Sequence, residues 1–108
     1  MKILIIEDDI IYHKLYEYLA TKAGLYDYIT IIDYFDHDLL ISDKFDVICF
    51  DDNLEKENMK GTDAVIKYKH LKAKKIVCSA SEIIASEHYE IVQKNNLINY
   101  LKNLLTIN

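Results

Sequence analysis

The chain has 108 residues and a formal net charge of −5, and its 13 basic residues are all lysines. This length supports one hydrophobic core, so residues 1–108 are expected to form a single domain. No apolar run approaches the about 20 residues that cross a bilayer, so we expect a cytosolic protein without membrane insertion. Because arginine is absent and the net charge is negative, direct nucleic-acid binding is not expected.

The first apolar run of the chain, Ile3–Ile6, leads into three acids at positions 7–9. An apolar run of four bounded by polar residues is typical of a strand buried on both faces of a parallel sheet. Apolar residues then recur at helical spacing from Ile10 to Ala23, and Gly24 stands where a helix C-cap residue belongs. These residues predict a strand and an amphipathic helix, with carboxylates between them and Asp9 near the helix N-terminus.

The middle of the chain predicts two more strands and a weak helix. They are the strand Tyr28–Ile32, the helix Asp36–Ser42 and the strand Phe45–Phe50. The third strand runs directly into Asp51 and Asp52, which repeats the pattern of an apolar strand that ends in acids.

The second half continues the alternation of helices and strands. A polar loop from Asp52 to Gly61 precedes Thr62, the expected N-cap of a helix that extends to Leu71. The later predicted elements are the strand Lys75–Cys78 ending at Ser79, one or two helical turns within Glu82–Tyr89, the strand Glu90–Gln93 and the helix Leu97–Leu105. Cysteines in two of these strands, Cys49 and Cys78, are expected to be buried thiols, with a disulfide between neighbouring strands as the alternative.

Strands that alternate with helices predict an α/β fold with right-handed crossovers and a parallel sheet covered on both faces. The acids after the first and third strands should then meet at the carboxyl edge of the sheet, where open α/β sheets bind ligands. Two carboxylates about 4 Å apart repel by roughly 4 kcal/mol at an effective dielectric near 20, so such a cluster requires a proton or a cation. Ligands that are all oxygen favour Mg²⁺.

The ordered set of an acidic pair, an Asp, a hydroxyl residue and a Lys after successive strands resembles the receiver domain of bacterial response regulators, the CheY-like family. The resemblance covers nearly the whole chain and implies a doubly wound, five-stranded parallel sheet of the flavodoxin-like type. It implies that Glu7 and Asp8 bind Mg²⁺, that Asp51 is the phosphoacceptor, and that the backbone carbonyl of Asn53 is a further metal ligand.

Two more positions match the family's pattern. Ser79 corresponds to the hydroxyl residue that turns toward the phosphoryl group, and Lys94 to the lysine that pairs first with the acceptor carboxylate and then with phosphoryl oxygens. Each residue also has an ordinary structural interpretation. Acids at positions 7–9 stabilise a helix N-terminus, and Asp51 and Asp52 suit a turn after a strand.

The resemblance implies a stand-alone receiver in two-component phosphorelay signalling, which accepts a phosphoryl group from a histidine kinase or a phosphotransfer protein with Mg²⁺. It would act on an unidentified downstream protein, and its self-catalysed chemistry would be regulatory, so it is not expected to be a metabolic enzyme. Whether it forms a homodimer stays open. One alternative is a pseudo-receiver, an interaction module independent of phosphorylation. Another is a small Mg²⁺-dependent nuclease or topoisomerase-type domain, which the Asn at position 53 and the lack of arginine disfavour.

The chain departs from the family's pattern in three places. Only fifteen positions separate Ser79 from Lys94, so the fourth helix should be short or absent. Either another surface should then serve for output, or the exposed region of the fifth strand should pair with a partner that fills the gap. Asn95 replaces the Pro that follows the lysine in the family, so the Lys94–Asn95 peptide bond should be trans, and the direction in which Lys94 points is open. Ile91 stands where many members of the family have the aromatic residue of the switch. The third departure lies in the loop after the third strand, where Gly61 comes later than in the family's spacing. The loop also carries extra acids, which could either strengthen cation binding or repel a phosphodonor; these acids are Asp52, Glu55 and Glu57.

Overall fold

The computed structural model describes residues 1–54, 59–80 and 85–107. Its strands, in chain order, are β1 (Ile3–Ile6), β2 (Ile29–Ile32), β3 (Val47–Asp51), β4 (Asn53–Leu54), β5 (Met59–Lys60), β6 (Lys74–Ser79) and β7 (Glu90–Gln93). Five of them form one parallel sheet in the order β2-β1-β3-β6-β7. This is the doubly wound order of flavodoxin-like folds, and it confirms the predicted fold class.

Helices cover both faces of this sheet. They are α1 (Ile10–Lys22), α2 (His37–Ile41), α3 (Gly61–Lys67) and α4 (Leu97–Ile107). Residues of α1 and α4 pack with alternate strand residues such as Ile3 and Ile5, while α2 and α3 pack with Leu4 and Ile6 on the opposite face. The four residues of β1 are therefore all buried, as the unbroken apolar run predicts. Within the described ranges, no helix is both long and apolar enough to cross a membrane.

The ends of α1 follow the sequence signals closely. Asp9 is the N-cap, and its side chain accepts a hydrogen bond from the Ile11 backbone N–H at 2.9 Å. After the helix, Gly24 adopts a φ of +76°, the left-handed conformation that glycine reaches without strain. The predicted helix of Leu97–Leu105 is confirmed as α4, and the weak helix at Asp36–Ser42 as α2 with those two residues as its caps.

The prediction that Thr62 is the N-cap of α3 is wrong. The N-cap lies two residues earlier, at Lys60, with no side-chain hydrogen bond at the cap, and the helix starts at Gly61. The cause is the antiparallel pair β4–β5, which returns the loop so that the Gly61 N–H donates to the Asp52 carbonyl at 2.9 Å. The helix also ends at Lys67, so Leu71 lies beyond it.

The connection between β6 and β7 contains no helix in the part that the structure describes. Residues 85–89 form a turn with an antiparallel bridge between Ser86 and Tyr89, so the helical turns expected over Glu82–Tyr89 are not found there. Positions 82–84 lie outside the described residues. The observation agrees with a fourth helix that is shortened or lost, and β7 is an edge strand of the sheet.

The two cysteines are free and buried on neighbouring strands, as expected for small apolar side chains. Cys49 lies on β3 and Cys78 on β6, and both belong to the core beneath α1 and α4. Contact with Cys49 and burial raise the pKa of the Cys78 thiol, so it stays protonated at neutral pH.

Candidate functional site

The candidate site lies where the topology of the sheet reverses direction. β1 lies between β2 and β3 in the sheet. The chain leaves β1 toward α1 on one face and leaves β3 toward α3 on the other, which opens a crevice at the carboxyl ends of these two strands. Glu7 directly follows β1, and its backbone N–H donates to the Ile32 carbonyl at 2.9 Å. Asp51 is the last residue of β3. The two strands that end in acids are therefore neighbours, as the sequence pattern predicts.

Three carboxylates from these two strand ends converge. Oxygen atoms of Glu7, Asp8 and Asp51 all lie within 4.8 Å of one another. The side chains of Glu7 and Asp51 are almost fully buried, whereas Asp8 is half-buried. One Asp51 oxygen accepts a hydrogen bond from the Asn53 backbone N–H at 3.2 Å, which orients the carboxylate toward the loop.

Lys94, the residue directly after β7, completes the cluster. Its Nζ lies 2.9 Å from Glu7 Oε1 and 2.9 Å from Asp51 Oδ1, and only 9% of its side chain is exposed. The Lys94–Asn95 peptide bond is trans, as expected for a bond that precedes a residue other than proline. Lys94 nevertheless reaches the Asp51 carboxyl group, which resolves the direction that the sequence leaves open. A short 3₁₀ turn, Lys94–Asn96, carries it into the crevice at the start of α4.

Two tyrosines on α1 border the cluster, and the sequence pattern did not single them out. The ring of Tyr12 lies with its centroid 4.3 Å from Lys94 Nζ. Tyr16, one turn later, is buried, and its ring centroid is 6.1 Å from that of Tyr12. The available signal was their spacing of four residues, which places both on the buried face of the helix just after the acids.

Charge in this cluster is balanced by a proton as well as by the lysine. Burial and the neighbouring Asp51 carboxylate raise the pKa of Glu7 to about 8, although Lys94 acts in the opposite direction. Burial alone would lower the pKa of Lys94, but its contacts with Glu7 and Asp51 outweigh that effect and raise it. At neutral pH the metal-free site therefore favours a proton on Glu7, beside the contact of 2.9 Å between Lys94 Nζ and Asp51 Oδ1.

This pKa gives a prediction for stability. Without metal, we expect the free energy of unfolding to fall as the pH rises from about 4.5 to about 8, by roughly 5 kcal/mol in total at about 1.4 kcal/mol for each pH unit. In this window the native state retains a proton on Glu7 that the unfolded chain has released, so each rise in pH favours unfolding. Denaturant titrations in the presence of a chelator measure the effect. Glu7→Gln should remove most of this fall, and an equal fall in that variant would contradict the assignment to Glu7.

The residues at the crevice fit a divalent cation. A cavity of about 140 Å³ is lined by Asp8, Asp9, Asp51, Asn53 and Lys94. The donors available are carboxylate and carbonyl oxygens, the ligands that Mg²⁺ prefers. In addition, buried Glu7 Oε1 accepts no hydrogen bond of good geometry from the described residues, although Lys94 Nζ is close to it. A cation would offset the repulsion among the acids, which a proton and Lys94 offset without it.

The other residues predicted for the site or its surroundings are Ser79 and the acids of the loop after β3. Ser79 is the last residue of β6, buried, and in register with Gln93 beside Lys94, but it is not among the described residues that line the cavity. Asp52 is half-buried next to Asp51. Glu55 and Glu57, the other acids of the loop, lie outside the described residues, so the question of whether they attract a cation or repel a donor stays open.

Comparisons with known proteins find the same fold. No protein-family model and no curated protein matches the chain. A CheY-like receiver domain from Methylobacillus flagellatus superposes with a TM-score of 0.72 at 17% identity, covering 98% of this chain and 96% of that one. One from Methanospirillum hungatei JF-1 gives a TM-score of 0.65 at 21% identity, covering 97% and 93%. A de novo designed Rossmann 2x3 protein gives 0.70 at 21% identity, covering 97% and 89%.

The chain has the fold of a CheY-like receiver domain. The resemblance stated from the sequence is thus confirmed over nearly the whole chain. A designed sequence reaches a similar fold, so the receiver fold does not by itself decide the function. The side chains at the carboxyl edge of the sheet therefore have to decide the function.

Proposed function

We propose that this receiver-fold chain is a phosphoacceptor in two-component signalling, in which Asp51 takes a phosphoryl group while Glu7 and Asp8 hold Mg²⁺ beside it. The observation that carries the proposal is the meeting of three carboxylates and one enclosed lysine at the switch point of the sheet. This arrangement brings together a nucleophile, oxygen ligands for a cation and a positive charge, which are the parts that phosphoryl transfer to a carboxylate requires.

The proposed step is a single displacement at phosphorus. An Asp51 carboxylate oxygen attacks the phosphoryl group of the donor, the bond from phosphorus to the donor atom breaks, and its electron pair leaves with the donor group. With a phosphohistidine donor the broken bond is P–N, and the departing imidazole takes a proton from solvent. Lys94 contacts Asp51 already, so its ammonium needs only a small shift to reach a phosphoryl oxygen. Mg²⁺ bound by Glu7, Asp8, Asp51 and the Asn53 carbonyl would offset the charge of carboxylate and phosphate.

In signalling, phosphorylation of Asp51 requires a protein that donates the phosphoryl group and a protein that responds to it. The donor is a histidine kinase or a phosphotransfer protein, the chain acts in the cytoplasm, and the output is binding to another protein. Ser79 stands at the end of β6, where its hydroxyl could donate to a phosphoryl oxygen in the phosphorylated state alone and so bias the loop that follows. The chemistry is regulatory, and we do not class the chain as a metabolic enzyme.

Incubation with Mg²⁺ and a small acyl phosphate tests the proposal. We expect intact-mass measurement to show a gain of one phosphoryl group, which requires the divalent cation and is released by hydroxylamine, as an acyl phosphate should be. Chelator in place of Mg²⁺ is the control. Absence of an adduct with Mg²⁺ or Mn²⁺ would favour the pseudo-receiver alternative, and Mg²⁺-dependent nicking of plasmid DNA without an adduct would favour the nuclease alternative.

A further inference from the structure

The Lys94 ammonium is enclosed on three sides by groups of two different kinds. Two carboxyl oxygens, from Glu7 and Asp51, lie 2.9 Å away, and the ring of Tyr12 has its centroid at 4.3 Å. The ring face carries negative electrostatic potential and attracts a cation within about 6 Å of the centroid. The effect is larger where water is excluded, and here only 9% of the lysine side chain is exposed.

The two kinds of contact have different consequences for a lysine that must change partners. A carboxylate accepts a strong, directed hydrogen bond that has to break before the ammonium can turn to another oxygen. A ring face attracts the charge without using a specific N–H, so the ammonium stays in place while its hydrogen bonds are exchanged. Tyr12 is therefore suited to hold the ammonium at the site before and after a phosphoryl group arrives.

The position of Tyr12 is itself well defined. It lies in the first turn of α1, directly after the Asp9 N-cap, and its neighbour Tyr16 is 1% exposed. The two rings are 6.1 Å apart at an interplanar angle of 39°. Tyr12 thus brings a side chain of α1 against the Lys94 ammonium, beside the carboxyl groups that follow β1 and end β3.

We propose that Tyr12 is a positioning residue for Lys94: the face of its ring holds the ammonium over Asp51, so that the lysine is ready to bind phosphoryl oxygens. This inference rests on the proposed phosphoacceptor function of Asp51. It adds a residue of α1 that acts through Lys94 and does not touch the reacting atoms.

Rates of phosphoryl uptake from a small acyl phosphate test the role of the ring. Tyr12→Phe keeps an aromatic face and should stay within about twofold of the wild type. Tyr12→Leu keeps apolar bulk without that face, and it should lower the maximal rate about tenfold, a factor that corresponds to about 1.4 kcal/mol. The donor concentration that gives half the maximal rate should change little, because the donor does not contact Tyr12.

A double-mutant cycle separates positioning from general packing. In a Lys94→Met background, Tyr12→Leu should have no further effect on the rate, because the charge that the ring holds has been removed. The inference is overturned if Tyr12→Leu slows the Lys94→Met protein by the same factor. It is also overturned if Tyr12→Leu leaves the wild-type rate unchanged, or if Tyr12→Phe is as slow as Tyr12→Leu.

An NMR measurement on the metal-free protein keeps this inference distinct from the proposed function. The ring current of Tyr12 should shift the ε-methylene protons of Lys94 upfield from those of the other lysines. The shift should persist in Tyr12→Phe and disappear in Tyr12→Leu. If the wild type takes up no phosphoryl group but the shift behaves in this way, the proposed function fails while the contact stands. If uptake occurs and the chemical shifts of the Lys94 ε-methylene protons do not change in Tyr12→Leu, the positioning role is wrong.

Discussion

Asp51→Asn is expected to lower phosphoryl uptake by roughly a thousandfold or more, because an amide oxygen cannot replace the attacking carboxylate. The substitution preserves shape, and the amide oxygen can still accept the 3.2 Å hydrogen bond from the Asn53 N–H. Lys94 also keeps its contact with Glu7. The variant should therefore fold, and its loss of uptake should report chemistry. Intact-mass measurement after incubation with an acyl phosphate and Mg²⁺ gives the result.

The neighbouring acid supplies a matched control for this experiment. Asp52 is half-buried, and its backbone donates to the Cys78 carbonyl and accepts from the Gly61 N–H, both at 2.9 Å. Asp52→Asn removes the same charge one residue away and keeps these backbone contacts, so uptake should remain within a few fold of the wild type. Loss of uptake in Asp52→Asn with full uptake in Asp51→Asn would place the phosphoryl group on the wrong residue and end the proposal.

The second large effect is expected from Gly61→Ala. A Cβ at position 61 would lie 2.9 Å from the Asp51 carbonyl carbon and 3.0 Å from Asp52 Cα, and closer still to the Asp51 carbonyl oxygen. All three are backbone atoms, so no side-chain rotation relieves the overlap. The start of α3 must move away from the end of β3, at a cost of about 3 kcal/mol. Denaturant unfolding should show this loss, and phosphoryl uptake should fall because Asp51 moves with its backbone.

The other glycine of the chain is the control for this substitution. Gly24 has a φ of +76°, but a Cβ there would meet no atom within 4 Å. Gly24→Ala should thus cost only the strain of a left-handed residue, about 1 kcal/mol. Uptake should be unchanged, because Gly24 follows the end of α1 that lies away from the acids. If the two alanine variants lose equal stability, the close approach at Gly61 does not constrain the site.

Much of the fold follows from patterns between residues that are close in sequence. The apolar runs Ile3–Ile6 and Val47–Phe50 identify strands buried on both faces, and the helical spacing from Ile10 onward identifies α1. The errors occur where a tertiary contact overrides a local signal. Thr62 is a good N-cap residue, yet the β4–β5 pair and the contact of Gly61 with Asp52 start α3 one residue before it.

In the candidate site, too, local patterns predict some residues, whereas others depend on tertiary contacts. Glu7, Asp8 and Asp51 were found from sequence because acids at the ends of parallel strands must emerge at one edge, whatever the details of packing. The reach of Lys94 was left open, because it depends on how β7 and the turn at Lys94–Asn96 sit against β1 and β3. Tyr12 was missed, because nothing in the residues around it reveals that a lysine from the far end of the chain lies under its ring.

The sequence by itself determined the five strands of the main sheet, the α/β class, the edge at which the acids gather and the need for a compensating positive charge. These follow from periodicity and from repulsion between carboxylates, which act over a few residues or a few ångströms. Only the tertiary structure decided that Lys94 supplies part of that charge, that the Tyr12 ring encloses its ammonium and that Gly61 packs against the backbone of Asp51. Such contacts join residues that lie ten to more than eighty positions apart, and their distances depend on how whole elements pack.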